Sequence, residues 1–322
     1  FSVFNGDAVD QIDLIKGGMP AEYGGRLSSI INVKMKEGDL QKHSVNGGIG
    51  LISSRISAEG PIKKNKSSYL FSARRTYADA VARPFLADSI KGNRLFFYDM
   101  NAKITWLLST KDKLTLSAYY GRDVFDFISP DGPDFKFGVA WGNQVYSLRW
   151  LRAWNTKLNS SLALVYNSFD LETNASFFTT NIRLFSGLKD WNLKGDINYE
   201  LSKKIKFKTG FIYTYHTFSP GALNISDDSS STSESISNQF AHEGAVYLSG
   251  NWDVNPRLNI DAGLRYSHFV QVGPYSLRLL DNNGFPTGNS LSYADGEPIA
   301  NYGGLEPRLG LRYLINESSS IK

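Results

Sequence analysis

The chain has 322 residues, no cysteine, and 35 Lys+Arg against 31 Asp+Glu for a net charge of +4. Without cysteine there is no disulfide, thiolate metal site or cysteine nucleophile, and so small a positive excess does not make the basic surface of a nucleic-acid-binding protein. No stretch approaches the ~18 consecutive apolar residues of a transmembrane helix, whereas strands that alternate apolar and polar residues cross a bilayer at the observed mean hydropathy of -0.28.

At roughly 100–200 residues per domain the length suggests two or three domains, or a larger all-β one. The first forty residues differ from the rest. Val9–Ile15 reads as a short strand, Lys16 to Arg26 as a glycine-punctuated loop with two Gly-Gly pairs, and Ile30 to Lys36 as a second strand.

From about Leu40 the period is two. Trp191, Leu193, Gly195, Ile197, Tyr199 and Leu201 alternate with Asn192, Lys194, Asp196, Asn198 and Glu200. Leu258 to Tyr266 alternate with Asn259 to Ser267 in the same way, and Leu114–Gly121, Met100–Leu108 and Ile205–Tyr213 follow. Short polar turns at Lys63–Lys66, Thr110–Lys113, Asn155–Leu158, Ser202–Lys204, Asn255–Arg257 and Asn316–Ser319 interleave with long connections near 78–94, 128–138, 175–185, 219–238 and 271–304. Short turns at one end and long loops at the other are the pattern of an outer-membrane barrel. The fold expected is all-β: an antiparallel transmembrane β-barrel of about eleven strands from His43 to Asn316, with a twelfth starting after Glu317–Ser320. Bacterial barrels have even strand numbers and no open edge, so this barrel is expected to be incomplete and to continue past Lys322.

One face of these strands is lipid-directed. Its aromatics Trp106, Tyr120, Trp150, Trp191, Tyr213, Trp252 and Tyr266 are expected at the membrane interfaces. The other face carries mid-strand charges that a small dry interior would not hold, so Arg149, Lys194, Asp196, Glu200, Asp261 and Arg265 are expected to face a wide lumen. Arg74 and Arg75 end a strand, and either lipopolysaccharide phosphates or the lumen are open to them.

The order Ile12-x-Leu-Ile-Lys16-Gly17-Gly18-x-Pro20-Ala21-x-Tyr23-Gly24-Gly25-Arg26-Leu-Ser28-Ser29-Ile-Ile-Asn-Val33 resembles the end of the plug domain of TonB-dependent outer-membrane receptors, where a similar loop precedes the first barrel strand. The variant is similar to receptors whose plug follows a carboxypeptidase-regulatory-like domain and departs from the sugar-importer pattern. Leu305-Glu-Pro-Arg-Leu-Gly-Leu-Arg-Tyr313 also resembles a strand start in such receptors.

The resemblance implies residues 1–40 as the end of a plug and 41–322 as the first part of a barrel of about 22 strands. It implies outer-membrane localisation, a TonB box upstream of Phe1, and import of a scarce nutrient driven by the proton-motive force. Implied partners are TonB, outer-membrane lipid and lipopolysaccharide, an external ligand and, as in glycan importers, a surface lipoprotein; no nucleic acid and no cofactor are implied. Lys16, Glu22, Arg26, Lys34 and Lys36 then sit where a plug faces the wall.

No catalytic motif is present: His242-Glu243 lacks the second histidine of a zinc protease, and Gly47-Gly48-Ile49-Gly50 does not open a helix. No enzyme is expected. Ser226–Ser237 reads as a mobile outer loop, in which Asp227, Asp228 and Glu234 lack calcium-loop spacing; Asp281–Gly284 reads as a turn. Phe125, Phe127, Phe135, Phe137, Trp141, Phe177, Phe178 and Tyr275 are outer-loop candidates for ligand contact. A binding or adhesion barrel without transport, and a passive porin, are the alternatives.

Overall fold

The computed structural model describes residues 5–25, 29–86, 88, 91–129, 135–227, 231–281, 284–316 and 318–321. Strands β1 (Val9–Ile15) and β2 (Ile30–Met35) form a separate two-stranded antiparallel sheet. The wall follows: β3 (Ser44–Ile49), β4 (Ser53–Lys63), β5 (Ser67–Thr76), helix α1 (Ala78–Ala82), β6 (Arg94–Leu107), β7 (Asp112–Ile128), β8 (Phe135–Ala153), β9 (Leu158–Phe177), β10 (Thr180–Ser202) and β11 (Ile205–Ser226). After these come β12 (Ser231–Ser235), β13 (Gln239–Asn255), β14 (Leu258–Val272), β15 (Tyr275–Leu280), β16 (Pro286–Tyr293), β17 (Pro298–Asn316) and β18 (Ser319–Ile321).

Wall strands pair antiparallel in chain order in one 14-stranded sheet running from β3 to β18, with β11 passing β12 to reach β13 and β14 passing the β15–β16 hairpin to reach β17; β12 pairs off the path with β11, and β15 and β16 pair only with each other. Its two edges, β3 and β18, do not pair, so the barrel is partial. All six expected short turns lie at one end. The wall has twelve strands from β3 to β17, one more than the sequence suggests. The extra strand comes from the division of residues 44–63 into β3 and β4, whose turn is closed by Gly50 N donating to Ser53 O at 2.8 Å around apolar Leu51 and Ile52. Three expected long connections are also shorter than predicted. Residues 175–185 are the tip of the β9–β10 hairpin, with Phe177 facing Thr180; 219–226 continue β11; 298–304 belong to β17. Pairing with neighbouring strands outweighs their Ser, Asn and Gly content.

The burial pattern is inverted relative to a water-soluble protein. Closely buried side chains on the wall are mostly polar: Ser72 at 0 %, Asp99 and Thr105 at 2 %, Arg265 at 3 % exposure. Large apolar ones face outward, with Leu248 at 56 % and Leu309 at 71 %. A polar interior against an apolar exterior is stable where the exterior meets lipid. The seven sequence-predicted aromatics Trp106, Tyr120, Trp150, Trp191, Tyr213, Trp252 and Tyr266 share the outer face, opposite the N-terminal segment. On β6, Trp106 and Tyr98 are eight residues apart, a spacing compatible with an apolar band about 25 Å tall between two girdles. Beyond Tyr120, Tyr166 and Trp191 the outer face changes to paired charges: Arg122–Asp170 at 3.0 Å, Arg183–Glu172 at 3.0 Å and Arg94–Asp126 at 2.7 Å. There the strands have left the hydrocarbon.

Candidate functional site between the N-terminal loop and the inner face

Residues 5–25 and 29–43 lie against the inner face and are held by contacts spread along them. Asn5 Nδ2 donates to Ser72 Oγ at 3.4 Å, Asp7 pairs with Arg55, and Lys103 Nζ donates to Met35 O at 3.1 Å. Lys113 Nζ meets Glu37 Oε1 at 2.7 Å. Burial raises the Glu37 carboxyl, but the Lys113 hydrogen bond and the charges of Lys113, Lys103 and Lys34 outweigh it and hold the group below its usual range. Beneath them lies a buried ion pair, Arg74 Nη2–Asp99 Oδ2 at 2.6 Å, which would be expensive to bury unpaired.

The loop between β1 and β2 makes the closest approach. Gly17, Gly18 and Gly25 have φ of +63°, +52° and +69°, a region that favours glycine. Tyr23 N donates to Pro20 O at 3.0 Å, closing a turn that carries Ala21 to β14, where a Cβ on Gly263 would lie 2.8 Å from the Ala21 methyl. A Cβ on Gly24 would stand 2.4 Å from Arg265 Nε, so the loop touches the guanidinium because position 24 has no side chain.

Arg265 donates through Nη1 to the main-chain oxygens of Ala21 at 3.4 Å and Glu22 at 3.3 Å, and through Nε to Ser267 Oγ at 2.8 Å; Glu306 Oε1 stands 3.8 Å away. The Glu22 carboxylate pairs with Lys208 and lies 3.8 Å from Lys194 Nζ. Lys194 also faces the Tyr23 ring, 5.8 Å from its centroid, and Asp196 at 3.9 Å. Burial first, then the Glu22 charge, pushes the Tyr23 hydroxyl above its usual range, so it stays protonated and can donate. Asp196 in turn accepts from Ser161 at 3.1 Å and from the Tyr247 hydroxyl.

Of the sequence-predicted lumen residues, Arg265, Lys194 and Asp196 converge on the loop. Glu200 and Asp261 line a cavity of about 990 Å³ under it, with Lys16, Gly17, Gly18, Pro20, Ala21 and Ser29 on the loop side and Lys206, Lys208 and Arg308 on the wall. Arg149 shares the inner face but not this cluster. Lys34 turns to Asp10 of its own hairpin at 3.1 Å rather than to the wall, and the Lys36 amide closes onto Ala8 O at 2.9 Å. Arg26 and Ser28 lie outside the described residues, as does Asp228. Lys208 and Tyr247 were not singled out from the sequence, and Glu306 entered only within the Leu305–Tyr313 strand start; Lys208 shares strand parity with Lys206 and was legible, whereas nothing in the local pattern marks Tyr247.

Toward the long-loop end, the inner face becomes aromatic. Phe125, Phe127, Phe135, Phe137, Trp141 and Phe177 are on β7, β8 and β9 rather than in loops, and share the face of Arg149. Phe135 and Phe177 rings are 4.9 Å apart, and Phe127 and Phe135 6.4 Å. Phe178 occupies the β9–β10 turn and Tyr275 starts β15. Phe97, Phe169, Leu188 and Phe218 extend this surface across neighbouring strands. His216 bridges Asp190 at 2.8 Å and Glu243 at 3.4 Å between aromatic vestibule and loop.

A polar interior, an apolar belt, short turns at one end and a glycine loop docked on the inner face define part of the wall of an outer-membrane β-barrel. The family model described as TonB dependent receptor-like, beta-barrel matches residues 63–322. The chain belongs to this family and is an outer-membrane protein; family members are transporters, not enzymes. No curated protein matches the sequence. Among solved structures it is similar to the ferric yersiniabactin uptake receptor FyuA from Yersinia pestis, at 12 % identity and TM-score 0.68 over 96 % of this chain and 50 % of that one. It is similar to the copper transporter OprC at 11 % and 0.70, over 97 % and 49 %, and to FpvA of P. aeruginosa, solved with pyoverdines, at 12 % and 0.66, over 97 % and 46 %. The chain thus spans about half the length of these proteins.

Proposed function

We propose that this chain is the plug terminus (residues 1–40) and the first part of the barrel (41–322) of an energy-coupled importer. A ligand binds at the aromatic vestibule. Force transmitted by TonB, drawing on the proton-motive force, displaces the N-terminal segment, and the ligand passes into the periplasm. The observation that carries this reading is the way the loop is held. Its grip on the wall consists of a few polar contacts beside a cavity of about 990 Å³ rather than continuous apolar packing, each hydrogen bond worth about 0.5–1.5 kcal/mol net, or about 1.5–3 kcal/mol where a charged group takes part. Such an interface stays closed at rest yet parts under modest work, unlike an apolar core.

The substrate class we infer is a metal ion chelated by an organic ligand with aromatic or apolar faces. The exposed Phe125, Trp141 and Phe177 side chains suit stacking on such a molecule, and the ferric yersiniabactin uptake receptor FyuA and the copper transporter OprC share the fold. The test is uptake of iron- and copper-chelate panels by cells carrying the protein, with and without a protonophore. Uptake abolished by the protonophore supports the reading. Binding without uptake makes the protein a surface receptor, and protonophore-insensitive flux makes it a passive pore.

A further inference from the structure

Arg74 and Arg75 are neighbours in sequence, but the pleat of β5 sends them to opposite faces. Arg74 turns inward to Asp99. Arg75 shares the outer face with Ala73, Tyr98 and Met100, its cross-strand row. Beside it lies a groove of about 520 Å³ on the lipid side of β4, β5 and β6, whose outward-facing lining includes Ile56, Ala73, Phe96, Tyr98 and Met100. That volume is within the ~300–1,000 Å³ of small-molecule pockets.

Three observations point to the occupant. The surface that lines it is almost wholly apolar, although Ser54, Arg55 and Arg74 also border it beside Arg75, so the groove suits hydrocarbon rather than water. The Arg75 guanidinium stands 5.3 Å over the Phe96 ring and has no carboxylate within ion-pair distance among the described residues. By contrast, the other outward arginines on the wall strands are paired: Arg94 with Asp126, Arg122 with Asp170, Arg152 with Asp112 and Arg183 with Glu172. Finally, Arg75 is the penultimate residue of β5, toward the long-loop end. At ~3.3 Å per residue and a tilt near 40°, that lies roughly 20 Å above the short-turn end, close to the outer limit of a ~25 Å apolar band.

We propose that the groove holds an acyl chain of a phosphorylated outer-leaflet lipid, with Arg75 bound to its phosphate. The hydrocarbon fills the space over Ile56, Ala73 and Met100. The guanidinium meets the headgroup in a fork geometry suited to phosphate oxygens, with the Tyr98 hydroxyl beside it at the interface. The proposal rests on the membrane placement of the wall and is independent of whether the protein transports.

The test is native mass spectrometry of the full chain in detergent micelles. The probes are a synthetic bis-phosphorylated, acylated glucosamine disaccharide, its dephosphorylated counterpart and inorganic phosphate. The wild type is expected to retain the phosphorylated lipid about fivefold more tightly than the dephosphorylated one. Arg75→Gln is expected to erase that difference, Arg75→Lys to keep most of it, and Arg94→Gln, which removes a paired arginine, to leave it intact. Ala73→Phe, which fills the groove and spares Arg75, is expected to weaken retention of both lipids. Undiminished preference in Arg75→Gln overturns the phosphate contact. Unaltered retention in Ala73→Phe overturns the groove. Full displacement of the lipid by millimolar inorganic phosphate overturns the joint site, because it means that the headgroup alone is bound.

Discussion

Arg265 on β14 donates to the main-chain oxygen of Glu22, 3.3 Å away and 243 residues earlier in the chain. The wall therefore grips the loop partly through its backbone, where side-chain identity is irrelevant, and partly through the Glu22 carboxylate, where it is decisive. Glu22→Gln is expected to keep the first grip and lose the second, leaving Lys208 without its carboxylate and Lys194 with Asp196 alone. Charge-assisted hydrogen bonds of this kind are worth about 1.5–3 kcal/mol. Backbone hydrogen exchange over residues 20–25 is expected to accelerate roughly tenfold or more; an unchanged rate would remove Glu22 from the interface.

Gly24 is the contact point of the first grip. Gly24→Ala places a methyl 2.4 Å from Arg265 Nε, and Arg265 is fully buried and tied to Ser267. Overpacking here is expected to cost about 1–3 kcal/mol of loop docking and to raise sensitivity to large antibiotics. Gly244→Ala, whose Cβ meets nothing within 4 Å, is the matched control and is expected to leave sensitivity unaltered.

The linker offers a pH test. The folded Glu37 carboxyl titrates below its unfolded value of 4.5. Its stabilising contact with Lys113 is thus complete above that unfolded value and is lost as pH falls through the lower folded one. Hydrogen exchange over residues 36–42, corrected for intrinsic rates, is expected to be pH-independent near neutrality and to rise on acidification below about pH 4.5. Lys113→Gln is expected to flatten that rise.

The two faces of β13 predict opposite tolerance of charge. Leu248→Arg puts a cation on the apolar exterior and is expected to destabilise the barrel by about 2–4 kcal/mol at mid-bilayer. Ser249→Arg, one residue on, enters the charge-lined cavity under the loop and is expected to stay within about 1 kcal/mol of wild type. Urea unfolding in lipid vesicles measures both.

The sequence pattern carried the wall well where one face was strictly apolar, as in Trp191 to Leu201. There, parity alone separates lipid-facing from lumen-facing side chains, and it would also have separated Arg75 from Arg74, since Tyr69, Phe71 and Ala73 precede Arg75 on alternate positions. It failed at the β3–β4 turn, because Leu51 and Ile52 are apolar, and at 175–185, because cross-strand pairing sustains polar strands that intrinsic preference disfavours. The site was legible in its parts and not in its assembly. Lys194 and Arg265 were visible as charges on a polar strand face, and Glu22 as a charge in a loop that the family resemblance set against the wall. That they meet depends on strand stagger and on a glycine loop crossing the lumen, which no local pattern encodes.

Strand β10 has 23 residues. At ~3.3 Å per residue and a tilt near 40° it rises roughly 58 Å, more than twice the ~25 Å apolar band. The β9–β11 wall is therefore a rampart standing clear of the lipid, with the phenylalanine-lined surface near its crest. A solute approaching from the surroundings meets this surface before it reaches the bilayer plane. On the proposed import reading, capture and passage are separated by a long vertical distance, so that the upper wall can diversify its grip independently of the lower wall.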